Sequence, residues 1–125
     1  MAIRLDHTIV PAKDKVAAAK FFADIFGLEV KAGQGFFAQV QVNESLTLDF
    51  ADEPAPQSHH YAFHVSDEEF EAIFDRVKAK GIPYGGGPYN RADGQLYSRR
   101  GGRGFYFDDP NGHVLEVMTV PETGS

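Results

Sequence analysis

Hydrophobic positions in the first half of the chain predict one strand followed by one helix. A short run from Leu5 to Val10 is typical of a strand, and apolar residues then recur at helical spacing between Asp14 and Phe26. Gly27 follows the last apolar position, where glycine commonly ends a helix. The apolar positions of this helix are Val16, Ala19, Ala23 and Phe26. The pattern therefore predicts a strand, a helix and a glycine stop.

The same pattern recurs in the second half of the chain. A strand-like run from His60 to Val65 precedes Ser66, and Glu69 stands three residues after Ser66, as in a capping box. The helix that follows ends before Gly81, and its apolar face is formed by Phe70, Ile73, Phe74 and Val77. Both halves therefore begin with the same strand and helix.

Each predicted helix is followed by three strand-like runs. In the first half these are Glu29 to Lys31, Phe36 to Val42 and Leu46 to Phe50. In the second half they are Ile82 to Tyr84, Phe105 to Asp108 and Val114 to Met118. The last two are joined by Asp-Pro-Asn-Gly, whose residues favour a tight turn. Each half therefore has the order βαβββ, and the predicted fold class is α+β.

The repeat places a histidine and a carboxylate at equivalent positions of the two halves. His7 and His60 lie in the first predicted strand of each half, and Asp49 and Glu116 lie in the last. Burying a carboxylate in an apolar strand is costly unless a partner compensates its charge. When a duplicated sheet faces its copy, equivalent positions meet around the pseudo-twofold axis. The pattern therefore predicts that two histidines and two acids converge.

Neither half is long enough to form a separate domain. A βαβββ unit of about 55 residues does not easily bury its sheet face alone, so the two are expected to share one core. We therefore predict one domain over residues 1–125, built from module 1 (about 3–52) and module 2 (about 58–120). The stretch from Asp52 to Ser58 contains two prolines and is predicted to be an exposed linker.

Composition and charge narrow the function classes. The chain has no cysteine, which excludes disulfides and thiolate ligands and leaves His, Asp and Glu for any metal. The net charge of -6 argues against non-specific nucleic-acid binding. No window approaches the apolar length of a membrane span, and the N-terminal residues do not look like a signal peptide. We therefore expect a cytoplasmic protein with neither nucleic acid nor membrane as a partner.

Three stretches resemble the vicinal oxygen chelate superfamily, also called the glyoxalase, bleomycin resistance and extradiol dioxygenase superfamily. They are LDHTIV with the following FFADIFGLEV, HHYAFHVSD, and GFYFDDPNGHVLEVM. The resemblance covers nearly the whole chain. It implies a glyoxalase-like open half-barrel around a metal site, in a protein that usually forms a homodimer.

The resemblance also implies a set of metal ligands. In metal-dependent members a divalent ion is bound by the first-strand histidine, the histidine before x-Ala-Phe and the last-strand glutamate, which fall on His7, His60 and Glu116. Two imidazoles and a carboxylate leave coordination positions open for two oxygens of a substrate. We therefore expect one divalent ion per site, Fe2+, Ni2+, Zn2+ or Mn2+, and a small-molecule substrate.

The sequence leaves the roles of two further residues, His64 and Asp49, undecided. His64 shares a strand face with His60, so alternation does not choose between them, although the repeat and the family pattern favour His60 as the ligand. His64 is then either a substrate-binding residue or a strand-end histidine in solvent. Asp49 takes the place of a glutamate that is the fourth ligand in glyoxalase I-like members. It is a candidate ligand or catalytic base, with an exposed strand-end aspartate as the alternative.

The segment from Gly85 to Gly104 is longer than a typical connection, which often indicates a functional loop. It carries four arginines against one aspartate, so it is either a lid that binds an anionic substrate or a solvated loop. Arg103 is the arginine predicted to bind substrate. Tyr106 is a second candidate, because the corresponding tyrosine of related thiol transferases faces the site.

The expected function is a metal-dependent lyase or isomerase of the glyoxalase I type, acting on a small oxygen-chelating substrate. Glu116 and Asp49 are its expected catalytic carboxylates. One alternative is an Fe(II)-dependent, extradiol-type dioxygenase. Another is a metal-free resistance protein that binds a drug or metabolite. Fosfomycin is disfavoured as a substrate, because Ile9 and Gly104 replace the hydroxyl residues of the fosfomycin thiol transferases.

Overall fold

A computed structural model describes residues 3–31 and 35–122. The chain divides into two compact units, Met1–Gln57 and Ser58–Ser125. Each unit contains one helix and one open four-stranded sheet in the order βαβββ. The predicted α+β class and the two βαβββ modules are confirmed.

Unit 1 carries the first of the two repeats. Its elements are β1 (His7–Ala12), α1 (Lys15–Phe26), β2 (Val30–Lys31), β3 (Ala38–Gln41) and β4 (Thr47–Asp52). The strand order is β1-β4-β3-β2; β1 pairs parallel with β4, and the other pairs are antiparallel. Strand β4 therefore joins the first strand to the rest of the sheet.

Helix α1 begins and ends where its sequence predicts. Asp14 is the N-cap, and its side chain accepts hydrogen bonds from the backbone N–H groups of Val16 and Ala17. Gly27 is the C-cap with φ of 72°, a left-handed conformation that favours glycine. Phe22 packs against Phe50 of the sheet, with ring centres 6.1 Å apart. One face of the sheet is thereby covered by α1.

Unit 2 repeats the arrangement. Its elements are β5 (His60–His64), α2 (Asp67–Ala79), β6 (Tyr97–Arg99), β7 (Gly102–Asp108) and β8 (Val114–Met118). The order is β5-β8-β7-β6, with β5 and β8 parallel and the other pairs antiparallel. Phe70 of α2 meets Phe105 of β7 edge to face at 5.4 Å, so α2 covers one face of this sheet.

The predicted capping box of α2 is present. Ser66 Oγ accepts from the backbone N–H of Glu69 at 3.1 Å, and Glu69 Oε1 accepts from the backbone N–H of Ser66 at 2.8 Å. Two N–H groups that the helix itself leaves unpaired are thereby satisfied.

Replacing Ser66 by alanine is expected to lower the free energy of unfolding by about 1 kcal/mol, the usual value of an N-cap side chain. Urea unfolding followed by circular dichroism measures this as a lower midpoint. Ser98→Ala is the control, because Ser98 is exposed on β6 and caps no helix. Equal midpoints for the two variants would show that the capping box does not stabilise the unit.

The strand predicted from Ile82 to Tyr84 is wrong. The third strand of unit 2 is β6, which lies inside the segment predicted to be a loop. Strands β6 and β7 are joined through Arg100 and Gly101, with φ of 48° and 80°. A two-residue turn with positive φ at both positions matches the twist of paired strands. This hairpin closes locally and pairs β6 with the first three residues of β7, and Gly85 forms an isolated bridge with Tyr106 farther along the same strand.

Within the described residues, no helix is long and apolar enough to cross a membrane.

Candidate functional site

The two units hold a histidine and a carboxylate in the same register. In unit 2, Ala62 pairs with Glu116 across the parallel strands β5 and β8, and His60 lies two residues before Ala62. In unit 1, Ile9 pairs with Asp49 across β1 and β4, and His7 lies two residues before Ile9. Residues two apart on a strand share a face. Each pair therefore lies on one sheet face, at the same relative position in both units.

His60 and Glu116 are in direct contact on the face of the sheet opposite α2. His60 Nε2 lies 3.0 Å from Glu116 Oε1. The other ring nitrogen, Nδ1, lies 3.1 Å from the carbonyl oxygen of Val114. Glu116 is only 5% exposed, and its neighbours in β8, Leu115 and Val117, are apolar. A buried carboxylate is thus paired with an imidazole that a backbone carbonyl orients.

Each ring nitrogen of His60 lies beside an oxygen atom. Both ring nitrogens face oxygen acceptors, yet a neutral imidazole carries a single N–H. A metal ion at Nε2, with the ring N–H on Nδ1, is compatible with these positions. An imidazole that donates its other N–H to a backbone carbonyl is the usual arrangement of a metal ligand. Unit 2 can thus offer a metal ion one nitrogen ligand, from His60, and one carboxylate ligand, from Glu116.

Tyr97 holds the second oxygen of Glu116. Its hydroxyl donates to Glu116 Oε2 at 2.5 Å. Burial raises the pKa of Tyr97 well above its usual value, and the bond to Glu116 raises it further, so the phenol remains a donor. Both oxygens of this carboxylate are therefore engaged, one by a ring nitrogen and one by a phenol.

Gly104 makes room for this contact. Tyr97 of β6 pairs with Gly104 of β7. A Cβ atom at position 104 would lie 2.2 Å from Tyr97 Cζ, which is closer than any van der Waals contact allows. The missing side chain at Gly104 therefore lets the ring of Tyr97 cross β7 and reach Glu116 on β8.

Tyr106 and Arg99 complete the surroundings of Glu116. The ring of Tyr106 stacks on His60 at 5.9 Å and meets Tyr97 at 5.7 Å. Burial raises the pKa of Tyr106, and the charge of Glu116 adds to the shift. Arg99 Nη2 lies 3.5 Å from the Tyr97 hydroxyl and 3.4 Å from Met118 Sδ. The sheet face thus presents three aromatic rings, a carboxylate and a guanidinium.

The other predicted substrate-binding residues lie in different surroundings. His64 shares the face of His60, and its Nε2 lies 3.2 Å from the carbonyl oxygen of Thr119. Arg103 points to the opposite face, where its guanidinium lies 2.7 Å from Glu71 of α2 and covers the ring of Phe70. The structure therefore does not bring Arg103 to Glu116, because successive strand residues point to opposite faces.

The corresponding face of unit 1 is more polar. His7 Nδ1 lies 2.9 Å from Asp6 Oδ2, and this hydrogen bond raises the pKa of His7. Asp49 is 6% exposed and accepts a hydrogen bond from Gln39 Nε2 at 2.9 Å. The alternative of an exposed strand-end aspartate is therefore wrong for Asp49. Its buried carboxylate has an amide donor in place of the phenol that holds Glu116.

Among residues 3–31 and 35–122, no group of three or more His, Asp or Glu side chains is positioned to hold a metal ion. Of the predicted ligands, the structure brings His60 and Glu116 into contact, and it places His7 and Asp49 in matching register on β1 and β4. The complete ligand set therefore stays a prediction.

Sequence reasoning missed Tyr97, included Arg99 only as one of the four arginines of a possible anion-binding lid, and missed Gln39. The first two lay in a segment predicted to be a loop, although Arg100-Gly101 followed by Gly102 is a composition that permits a tight hairpin turn. With that turn recognised, the spacing of Tyr97 and Arg99 would have put both on one face. Gln39 carried no signal, because its role depends on pairing with Asp49.

The chain is similar in sequence and in structure to proteins that are already known. The model of the Glyoxalase/Bleomycin resistance protein/Dioxygenase superfamily matches residues 4–117. The solved structure of Oxidase ChaP-H2 is 46% identical, with a TM-score of 0.93 and 99% of this chain and 98% of that chain covered. Oxidase ChaP-H1 is 43% identical, with a TM-score of 0.92 and coverage of 98% and 100%. Glutathione transferase FosA from Serratia marcescens is 28% identical over 120 residues, covering 90% of this chain and 78% of that protein.

Proposed function

This chain belongs to the Glyoxalase/Bleomycin resistance protein/Dioxygenase superfamily, and on that premise we propose that it is a metal-dependent oxidase. Its substrate is a small molecule that offers two neighbouring oxygens to the metal, and dioxygen accepts the electrons. The observation that carries the proposal is the near full-length likeness to two oxidases. The contact between His60 and Glu116 supplies the matching chemistry.

The proposed ligands are His7, His60 and Glu116. Two histidines and one carboxylate form the ligand set of non-haem Fe(II) oxygenases, which keeps several coordination positions open. A bound Fe(II) or Mn(II) ion would supply the activation of dioxygen and the withdrawal of electrons from a chelated substrate. The support within unit 2 is that His60 Nδ1 lies against a carbonyl oxygen, which leaves Nε2 on the side of Glu116.

The chain's own residues orient this set. Tyr97 donates to Glu116 Oε2, which leaves Oε1 as the oxygen that faces Nε2 of His60. Tyr106 lies flat against the imidazole of His60 and limits the rotation of that ring. These two phenols, both with raised pKa, stay neutral and add no negative charge beside Glu116. The carboxylate thus keeps one fixed orientation while the substrate binds.

A glyoxalase I-like isomerase is the second candidate, and Asp49 is the observation that favours it. Asp49 is a buried carboxylate in the same register as Glu116, so it can serve as a fourth ligand or as the base that moves a proton on the substrate. Its bond to Gln39 holds Oδ1, as Tyr97 holds Glu116. This function requires no dioxygen, so the two candidates differ in a measurable way.

We further propose that the protein is a homodimer whose metal ligands come from both kinds of unit. His7 and Asp49 belong to unit 1, and His60 and Glu116 belong to unit 2. Unit 1 would supply His7, with Asp49 as a possible fourth ligand, and unit 2 would supply His60 and Glu116. Association of complementary halves would complete the set, whether the halves come from one chain or from two copies.

Oxygen uptake by the reconstituted protein tests the proposed function. The protein is purified without oxygen, loaded separately with Fe(II), Mn(II), Ni(II) or Zn(II), and offered catechols and hydroxyarene carboxylates in an oxygen electrode. We expect uptake with Fe(II) or Mn(II), and none with Zn(II). Formation of the lactoyl thioester from methylglyoxal and glutathione, with Ni(II) or Zn(II) and without oxygen, would instead support the isomerase. Failure to bind any of the four ions would contradict both.

A further inference from the structure

We infer that Arg99 forms an anion-binding subsite beside Glu116 and that the substrate is a planar aromatic oxyanion. This inference rests on the proposed oxidase function and specifies the class of its substrate. An aromatic carboxylate or an ionised phenol has the chemistry that the subsite fits.

Arg99 makes no ion pair or hydrogen bond to a carboxylate among residues 3–31 and 35–122. Its Nε is buried and has no hydrogen-bond partner within the described part of the chain. Its Nη2 meets only a phenol oxygen at 3.5 Å and the sulfur of Met118 at 3.4 Å, both weak acceptors for a guanidinium. A guanidinium does not lose its proton in a protein, so burial without an anion is costly.

The other arginines of this segment are all satisfied. Arg91 Nε lies 2.5 Å from a carboxylate oxygen of Asp108, and Arg103 Nη1 lies 2.7 Å from Glu71. Arg100 donates to the backbone carbonyls of Pro121 and Glu122. Within residues 3–31 and 35–122, Arg99 is thus the arginine of this segment that has neither a carboxylate nor a carbonyl acceptor. If these arginines served only to keep the segment solvated, Arg99 would not be expected to differ from the other three.

The position of Arg99 connects this charge to the candidate site. Arg99 and Tyr97 are two residues apart on β6, so they share the sheet face that carries Glu116. The guanidinium carbon lies 5.3 Å from the centre of the Tyr97 ring, and this cation–π contact limits its motion. A guanidinium held in one plane favours a flat, two-oxygen anion, which accepts two parallel hydrogen bonds.

The neighbouring rings favour an aromatic ligand. His60, Tyr106 and Tyr97 form a continuous row, with ring centres 5.9 Å and 5.7 Å apart. Aromatic side chains stack on flat ligands over such distances. Arg99 lies at the Tyr97 end of the row and Glu116 lies between the outer rings, bonded to both. An aromatic ring on this row would direct its anionic group to Arg99.

Salicylate and salicylamide, which differ in charge and hardly in size, test the subsite by isothermal titration calorimetry. The metal-free protein is used first, so that chelation does not contribute, and the metal-loaded protein second. We expect metal-free wild-type protein to bind salicylate about 10-fold more tightly than salicylamide, because a hydrogen bond to a charged group is stronger than one between neutral groups. Arg99→Met should remove the preference, and Arg99→Lys should retain part of it.

The matched control is Lys80→Met, which removes one positive charge of unit 2 at the exposed end of α2 and should leave the preference unchanged. Equal affinity of wild-type protein for the two probes, or no binding at millimolar concentration, would overturn the inference. So would a preference that survives in Arg99→Met or is lost in Arg103→Met instead. Metal content and oxygen uptake are measured separately. A charge preference without oxygen uptake would therefore leave the subsite standing and remove the oxidase.

Discussion

Replacing His60 by alanine is expected to abolish metal binding by the protein. Losing an outer partner that only orients a ligand already lowers metal affinity by about 10- to 100-fold, so losing the ligand itself should exceed that range. Glu116→Gln should have a comparable effect on metal content. The glutamine oxygen still accepts from Tyr97, so the fold is expected to survive while the negative charge is lost. Elemental analysis of protein reconstituted with Fe(II) measures the loss.

The control for this prediction is His64→Ala. His64 lies on the same strand and the same face as His60, and it contacts the carbonyl oxygen of Thr119 rather than Glu116. We expect its metal content to match that of the wild-type protein. If His60→Ala retained its metal while His64→Ala lost it, the ligand assignment within HHYAFHV would be reversed. Circular dichroism of each variant separates loss of metal from loss of fold.

Mixing two inactive variants extends the same experiment to the homodimer. His7→Ala and His60→Ala each lack one proposed ligand, and each should bind no metal by itself. If sites form between two copies, co-refolded mixtures contain dimers in which one site is intact and the other lacks both histidines. If sites form within one chain, every site in the mixture stays defective. Recovery of metal in the mixture therefore distinguishes the two arrangements.

Gly104→Ala is expected to disrupt the candidate site although it adds only a methyl group. The new Cβ would lie 2.2 Å from Tyr97 Cζ and 2.3 Å from the Tyr97 hydroxyl oxygen, so the ring has to move away from Glu116. Glu116 Oε2 would then lose its donor while buried, which costs about 1–3 kcal/mol of stability. Metal affinity should fall by about 10- to 100-fold, as for other partners that orient a ligand. Chemical unfolding and metal titration measure the two effects.

A double variant identifies the cause of the Gly104 effect. In a Tyr97→Ala background the ring is absent, so adding the methyl group at Gly104 should cost little further stability or metal affinity. Gly86→Ala is the matched control, because a Cβ there meets its nearest atoms at an ordinary 3.5 Å. Additive losses from Gly104→Ala and Tyr97→Ala would show that crowding of Tyr97 is not the mechanism.

Much of the fold was predictable because its signals are local. Both helix N-caps, the glycines that follow each helix and strand β8 depend on residues close together in the chain. The repeat also predicted that each half holds a histidine and a carboxylate in equivalent strands. The observed register, with Ile9 opposite Asp49 and Ala62 opposite Glu116, has that equivalence.

The features that local patterns did not predict concern which segment pairs with which strand. Ile82 to Tyr84 has the composition of a strand, yet the tight turn at Arg100-Gly101 pairs β6 with the start of β7, and Gly85, just after the predicted strand, forms an isolated bridge with Tyr106. The direction of Arg103 depended on the same register. Its place in β7 turns it toward α2 and Glu71, whereas Arg99 of β6 lies on the face of Glu116. The charged residues of a segment cannot be assigned to one face of the sheet until the pairing of its strands is known.

The sequence by itself determined the duplicated βαβββ order, the ends of the helices and the presence of a histidine and an acid in equivalent strands of each half. Those features follow from hydrophobic spacing, capping side chains and turn residues, which act over a few positions. Only the tertiary structure decided that Tyr97 crosses over Gly104 to hold Glu116, and that the buried Nε of Arg99 has no hydrogen-bond partner in the described part of the chain. Both facts depend on strand register and on contacts between residues distant in sequence, which local patterns do not encode.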